Sequence, residues 1–135
     1  MIIGFNKQFP DKIIKGTKKH TIREDKHDRW HAGMKMHMAT GVRTKKQNCF
    51  KLDICNGVQN IIIIWDRSSL IMNKATVYID NKNIGGYFPE LKYFNCTSTI
   101  EQLAKNDGFY SVREFFAWFD ENFTGKLIHW TDLRY

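Results

Sequence analysis

Cysteine is scarce in this sequence: Cys49, Cys55 and Cys96 are the only three among 135 residues. An odd, sparse set without CxxC spacing argues against a disulfide framework and against a zinc site. It fits reduced thiols in a cytoplasm. Long apolar runs are also missing. The longest, Ile61 to Trp65, has five residues, against about 20 for a membrane-spanning helix. The first residues, Met1-Ile2-Ile3-Gly4-Phe5-Asn6-Lys7, lack the charged leader and apolar core of a secretory signal. No internal repeat, low-complexity tract or Pro/Gly/Ser-rich linker divides the chain. The expectation from these absences is one cytoplasmic domain over residues 1–135, away from membranes.

What is present excludes disorder. Hydrophobic residues make up 42% of the chain and aromatic residues 14%, enough to build a core. A domain of this size buries roughly two-thirds of the surface its unfolded chain exposes and needs no covalent staples. Charge is uneven. The net charge is +7, and residues 1–50 carry 12 basic and 4 acidic residues against 9 and 10 in residues 51–135. A basic half joined to a neutral half points to a face that meets an anion, most often nucleic acid. A merely soluble basic surface is the other reading.

Local patterns divide the chain into short elements. Pro10 opens a short helix over Asp11–Lys15, and Gly16 stops it. His20–Glu24 reads as a strand, residues 25–33 as a loop, and Met34–Thr40 as a second strand by its alternation. Phe50, Leu52 and Ile54 alternate with Lys51 and Asp53, the pattern of a half-buried strand. Asn56-Gly57 is a hairpin signal. Val58–Asp66 follows, and its Ile61–Ile64 run predicts burial on both faces. Ala75–Asp80 is a strand and Asn81–Asn83 a turn. Ile100–Asn106 is a short helix. Ser111-Val112-Arg113-Glu114 forms a capping box, opening a helix to about Asn122. Lys126–Thr131 closes the chain as a strand. Six or more strands with hairpin connections and two or three short helices predict an α+β fold. In it, a small mixed or antiparallel sheet curls into a barrel flanked by those helices.

Two stretches hold residues suited to chemistry. In Gly16-Thr17-Lys18-Lys19-His20-Thr21-Ile22-Arg23, Thr21 and Arg23 share one face of a strand. A turn at 17–20 could bring the Lys18 amine back toward the Thr21 hydroxyl. Threonine is a poor nucleophile until a neutral amine takes its proton, and desolvation with nearby cations such as Lys19 and Arg23 neutralises a lysine. Arg23 could hold a phosphate or a developing oxyanion. The competing reading is a helix stop, an exposed basic turn and an ordinary strand. In the second stretch, Asp107-Gly108-Phe109-Tyr110-Ser111, Asp107 precedes the helix cap. It either points into a pocket as an acid, base or water-orienting group or stabilises an Asp-Gly turn.

Together these stretches resemble the ASCH domain, a PUA-like β-barrel module. Its Gly-x-Lys-x-x-Thr-x-Arg pattern is matched by Gly16, Lys18, Thr21 and Arg23. Its acidic residue with Gly-Phe and Ser before a helix is matched by Asp107, Gly108, Phe109, Ser111 and Glu114. Leu127–Thr131 with Arg134 and Tyr135 is similar to the module's closing strand, so the resemblance spans residues 4 to 135. The resemblance implies a partner that is RNA or a nucleoside or nucleotide. Some small bacterial members are amidohydrolases of N4-acetylcytidine; others are ribonucleases or RNA-binding modules. It implies Lys18 as base, Thr21 as acyl acceptor, Asp107 as proton shuttle or water orienter, and Arg23 as a substrate contact. Metal and cofactor are not implied. Three departures accompany it. The hydrolases carry Glu where Asp107 stands, Met34 replaces an acidic residue after Gly33, and residues 41–98 hold extra length.

Other residues fit an RNA face. Lys19 adds charge beside the motif. Trp30, between Arg29 and His31, could stack on a base or pack in the core. Arg43, Lys45 and Lys46 form a basic turn suited to a phosphate backbone or to solvent. His27, His31 and His37 read as solvated or RNA-facing rather than as metal ligands. Tyr87, Phe88, Tyr93 and Phe94 around Pro89 could line a groove, but are expected to pack a long connection onto the barrel. Cys55 is expected to be a buried, inert thiol, and the aromatic stripe of residues 112–122 core.

Overall fold

Hairpin and helix signals of this kind fold here into eight strands and three short helices in a computed structural model covering residues 1–135. In chain order they are β1 (Ile2–Gly4), α1 (Pro10–Ile14), β2 (His20–Arg23), β3 (Lys35–Thr40), β4 (Asn48–Ile54) and β5 (Gly57–Asp66). They continue with β6 (Lys74–Ile79), β7 (Lys82–Tyr87), α2 (Ser98–Asn106), α3 (Val112–Trp118) and β8 (Phe123–His129). The class is α+β, as expected. No helix is long and apolar enough to cross a membrane.

The expected closed barrel is replaced by two sheets. One has the order β1-β3-β4 and the other β2-β8-β5-β6-β7. Asn56-Gly57 is the reason. Neither residue has the positive φ of a tight hairpin turn, and β4 and β5 do not pair. Instead the chain changes sheets there. The Cys55 N–H donates to Met34 O at 2.8 Å on the three-stranded side, and the Asn56 N–H to His129 O at 2.7 Å on the five-stranded side. The tight turn falls later, at Asp80 and Asn81, whose φ values are 48° and 65°. The chain then continues as β7, a strand hidden in sequence by the glycines Gly85 and Gly86.

The core lies where the sheets meet the helices. Ile61, Ile63, Val77, Ile79, Leu127, Met36, Met38, Ile100, Leu103 and Phe115 are fully buried. The isoleucine run of β5 is buried on one face only, because an antiparallel sheet covers one side: Ile61 and Ile63 point in, while Ile64 is 45% exposed. In β4 the expected alternation is reversed. Leu52 and Ile54 pair with His37 and Lys35 on the exposed face of the sheet, and Lys51 pairs with Asp53 at 3.2 Å. The capping box forms, with Ser111 Oγ accepting from the Glu114 N–H at 3.1 Å. The connection after β7 is less covered than expected. Tyr87 is buried, but Tyr93 and Phe94 lie in solvent.

Gly85 shows how tightly β7 and α2 are joined. Its φ is +127°, and a Cβ there would lie 2.3 Å from Thr97 Oγ1. That hydroxyl donates to Ile84 O and accepts from the Ile100 N–H as the cap of α2. Gly85→Ala is therefore expected to cost about 2–3 kcal/mol through backbone strain and a lost cap. Urea denaturation reads this, and a loss below about 0.5 kcal/mol, the range of neutral surface changes, would contradict it.

Candidate active site

Two helix ends create the site. Gly16 ends α1 with φ +82°, and the N–H groups of Thr17 and Lys18 both donate to Lys12 O, at 2.9 and 3.0 Å. This turn sends the Lys18 side chain inward, where it is 1% exposed. The Lys19 N–H donates to Asn106 O at 2.7 Å and ties the start of β2 to the end of α2. There Asp107 caps the helix, and Gly108, at φ +92°, turns the chain away. A Cβ at Gly108 would lie 2.9 Å from Lys18 Cδ and 3.0 Å from Phe9 Cδ1. Only glycine lets the lysine stem lie against this turn. Lys18 Nζ then donates to Asp107 O at 2.5 Å and to Asp107 Oδ1 at 3.1 Å.

β2 supplies the other polar groups. It pairs antiparallel with β8, Thr21 opposite Ile128 and Arg23 opposite Lys126. Thr21 is buried. Its Oγ1 accepts from Arg23 Nε at 3.3 Å, while Arg23 Nη2 donates to Gly4 O at 2.5 Å. The guanidinium lies 4.9 Å from the centre of the Phe5 ring. Lys18, Thr21, Arg23 and Asp107 all line one cavity of about 390 Å³, walled on its apolar side by Phe5, Phe9, Phe109, Trp118 and Phe119.

Burial sets the electrostatics of this cavity. Desolvation pushes the Lys18 amine down to about 8, against the opposing pull of Asp107. An amine titrating there is partly neutral near physiological pH and can accept a proton. Desolvation also lowers Arg23 from its ordinary value, but a guanidinium remains a cation at working pH.

The expected set Lys18, Thr21, Arg23 and Asp107 thus comes together around one cavity. Lys18 and Thr21 do not hydrogen-bond each other; each is held by its own partner. Lys19 is half-buried beside the cavity and does not line it. Arg43 and Lys45 are exposed on the turn between β3 and β4, whose Gly41 and Val42 border the cavity.

Trp30 requires a correction. It is 8% exposed and belongs to the core, so it presents no face to a base. The Asp25 carboxylate fixes it there by accepting from the N–H groups of Arg29 and Trp30, both at 2.9 Å. Lys126 pairs with Asp25 at 3.4 Å and with Asp28, closing the loop over the ring. His27, His31 and His37 are exposed. Cys55 is buried, and desolvation raises its thiol.

Sequence reasoning missed three residues behind the carboxylate. His20 Nδ1 lies 3.2 Å from Asp107 Oδ1, and its Nε2 lies 2.7 Å from Tyr135 Oη. Asn106 Nδ2 donates to the same hydroxyl at 3.1 Å. Strand alternation places His20 on the opposite face from Thr21, which obscured it, yet Asp107 reaches it from that side. Trp118, expected as core, is half-exposed and forms cavity wall. No protein-family model, curated protein or solved structure matches the chain.

Proposed function

We propose that the protein is a PUA-like, ASCH-type amidohydrolase that cleaves the acyl amide of an N4-acylated cytidine. In this reading the two sheets are the module's barrel wall, meeting at residues 55–57 rather than closing. The observation that carries it is a fully buried lysine, its amine pushed down to about 8, lining the same cavity as a buried threonine hydroxyl and a carboxylate. A cavity of about 390 Å³ with an aromatic wall falls within the range of small-ligand sites and offers ring faces to a base.

The chemistry we propose is acyl transfer through Thr21. Thr21 Oγ1 attacks the acyl carbon, and neutral Lys18, which lines the same cavity, takes its proton through an intervening water. The negative charge that develops on the acyl oxygen faces Arg23. Lys18 returns the proton to N4 as the C–N bond breaks, releasing cytidine and leaving an ester on Thr21. A water oriented by Asp107 Oδ2 hydrolyses that ester. Lys18 takes one proton of that water and returns it to Thr21 Oγ1; the acid gives up the other to solvent and leaves as its anion.

The test is chromatographic release of cytidine from N4-acetylcytidine. Thr21→Val keeps the side-chain shape and removes the nucleophile. The native chain is expected to turn over, and the variant to lose about 10³-fold or more in kcat with its fold intact. A folded native chain that releases no cytidine, or a Thr21→Val variant that matches it, rejects the hydrolase.

A second reading is favoured by the basic turn bearing Arg43, Lys45 and Lys46 at the cavity mouth. It is a non-catalytic RNA-binding module in which Lys18 and Arg23 hold phosphates. Its affinity would fall steeply with salt and by steps as each cation is removed.

A further inference from the structure

We propose that His20 is a positioning residue. As the neutral Nδ1–H imidazole it donates to Asp107 Oδ1, and Tyr135 completes that tautomer by donating to Nε2. The catalytic part rests on the hydrolase reading; the tautomer does not. The argument follows the donors along the chain of contacts. Asn106 presents Nδ2, which only donates, to Tyr135 Oη at 3.1 Å. The hydroxyl proton is then free to point at His20 Nε2, 2.7 Å away. Nε2 can accept it when the ring proton sits on Nδ1. Nδ1 faces Asp107 Oδ1 at 3.2 Å, and an ionised carboxylate can only accept. Each donor in the series is used once and each acceptor receives a proton.

His129 provides the counterpart. Its ring centre lies 5.4 Å from that of His20. Its Nε2 faces Gln59 Oε1 at 3.1 Å. Gln59 Nε2 is committed as a donor to Asp80 Oδ2 and Tyr135 O, both at 3.0 Å. Gln59 Oε1 must accept, so His129 carries its proton on Nε2. Its Nδ1 is the one buried side-chain nitrogen or oxygen without a partner. The two buried histidines thus hold opposite tautomers. Burial disfavours a charge on either ring, although Asp107 pulls His20 toward protonation while Lys18 and Lys19 oppose it.

The consequence is a fixed carboxylate. Asp107 Oδ1 receives two donors, Lys18 Nζ and His20 Nδ1. The bonds to Asp107 fall on Oδ1 and the backbone oxygen, so Oδ2 remains for a water. Supporting groups of this kind hold a reacting side chain in one rotamer and tautomer, and losing them typically costs 10–100-fold.

Long-range proton–nitrogen spectra of the full, ¹⁵N-labelled chain between pH 5 and 9 test the proposal without substrate, with His20→Asn identifying the His20 signals. The expected result is a pyrrole-type Nδ1 and a pyridine-type Nε2 for His20, the reverse for His129, and no exchange of the tautomers with pH. Tyr135→Phe is expected to leave the proton on Nδ1, which Asp107 holds, to shift the Nε2 signal as its donor is lost, and to lower kcat about 10–100-fold with KM little changed. A His20 proton on Nε2, a ring doubly protonated at pH 7 or above, or a Tyr135→Phe variant with an unchanged Nε2 signal overturns the proposal. The two readings fail separately. Stated tautomers without cytidine release reject the hydrolase and leave His20 positioning the carboxylate; cytidine release with the reverse tautomer does the opposite.

Discussion

Lys18→Met is expected to lower turnover of N4-acetylcytidine by about 10²–10⁴-fold, the usual contribution of a positioned base. Methionine keeps a long stem against the Phe9 ring, which lies 4.7 Å from the native amine, so packing is largely retained and the amine is lost. The native pH profile carries a second signature. The base must be neutral, so turnover is expected to rise with pH and level off above about 8, where burial has placed the Lys18 amine. Stability should follow the same group. The folded chain releases the proton near 8, whereas the unfolded chain keeps it to about 10.4. Between those values the unfolded state binds more protons, so stability rises with pH by on the order of 2–3 kcal/mol. Below about 8 both states are protonated and the burial penalty is fully in force. Burial raises the Tyr135 hydroxyl; its folded form keeps a proton that the unfolded chain gives up near 10, so it opposes the rise from there upward. Urea midpoints at pH 8 and 10, native against Lys18→Met, isolate the lysine. Equal slopes in the two chains would show that Lys18 is not desolvated as described.

Phe115→Ala is expected to cost 3–5 kcal/mol, in the range of buried aromatic truncations. The ring is fully buried. It contacts Phe109 at 5.6 Å and Phe116 and Phe119 at 5.0 Å between ring centres. Two of these neighbours, Phe109 and Phe119, are walls of the cavity lined by Lys18 and Thr21, so the void left by Phe115 also loosens the site. The expected result is a lower urea midpoint with an unchanged slope, and a raised KM for the acylated nucleoside. A loss below about 1.5 kcal/mol would mean that the neighbouring rings collapse into the space.

The site was more legible than the sheet topology, for physical reasons. Gly16 and the capping box Ser111–Glu114 are local devices whose geometry is set within a few residues. They mark the helix ends that deliver Lys18 and flank Asp107. Thr21 and Arg23 share a face by strand alternation alone. The split into two sheets was hidden because Asn56-Gly57 carries a turn composition but serves a crossing between sheets, decided by the partners Met34 and His129. β7 was hidden because Gly85 and Gly86 weaken strand propensity while permitting the close contact with Thr97. Trp30 is flanked by cations in sequence, yet Asp25 and Lys126, far from each other along the chain, close its loop. His20 needed two partners remote in sequence, Asp107 and Tyr135, the second held in turn by Asn106.

The pairing of β2 with β8 sets His20 opposite His129, and Asp107 reaches Lys18 across 89 positions. Such long closures are slow, because chain entropy is spent before any contact rewards it. During synthesis the basic N-terminal half therefore emerges with its lysine still exposed and charged, far from the carboxylate that will hold it. The amine is buried and lowered only when the end of α2 docks against the start of β2 and β8 adds its strand. The lowered amine is thus a late property of the chain, acquired together with its final cooperative packing. Limited proteolysis that removes β8 should abolish the lowered amine along with the fold.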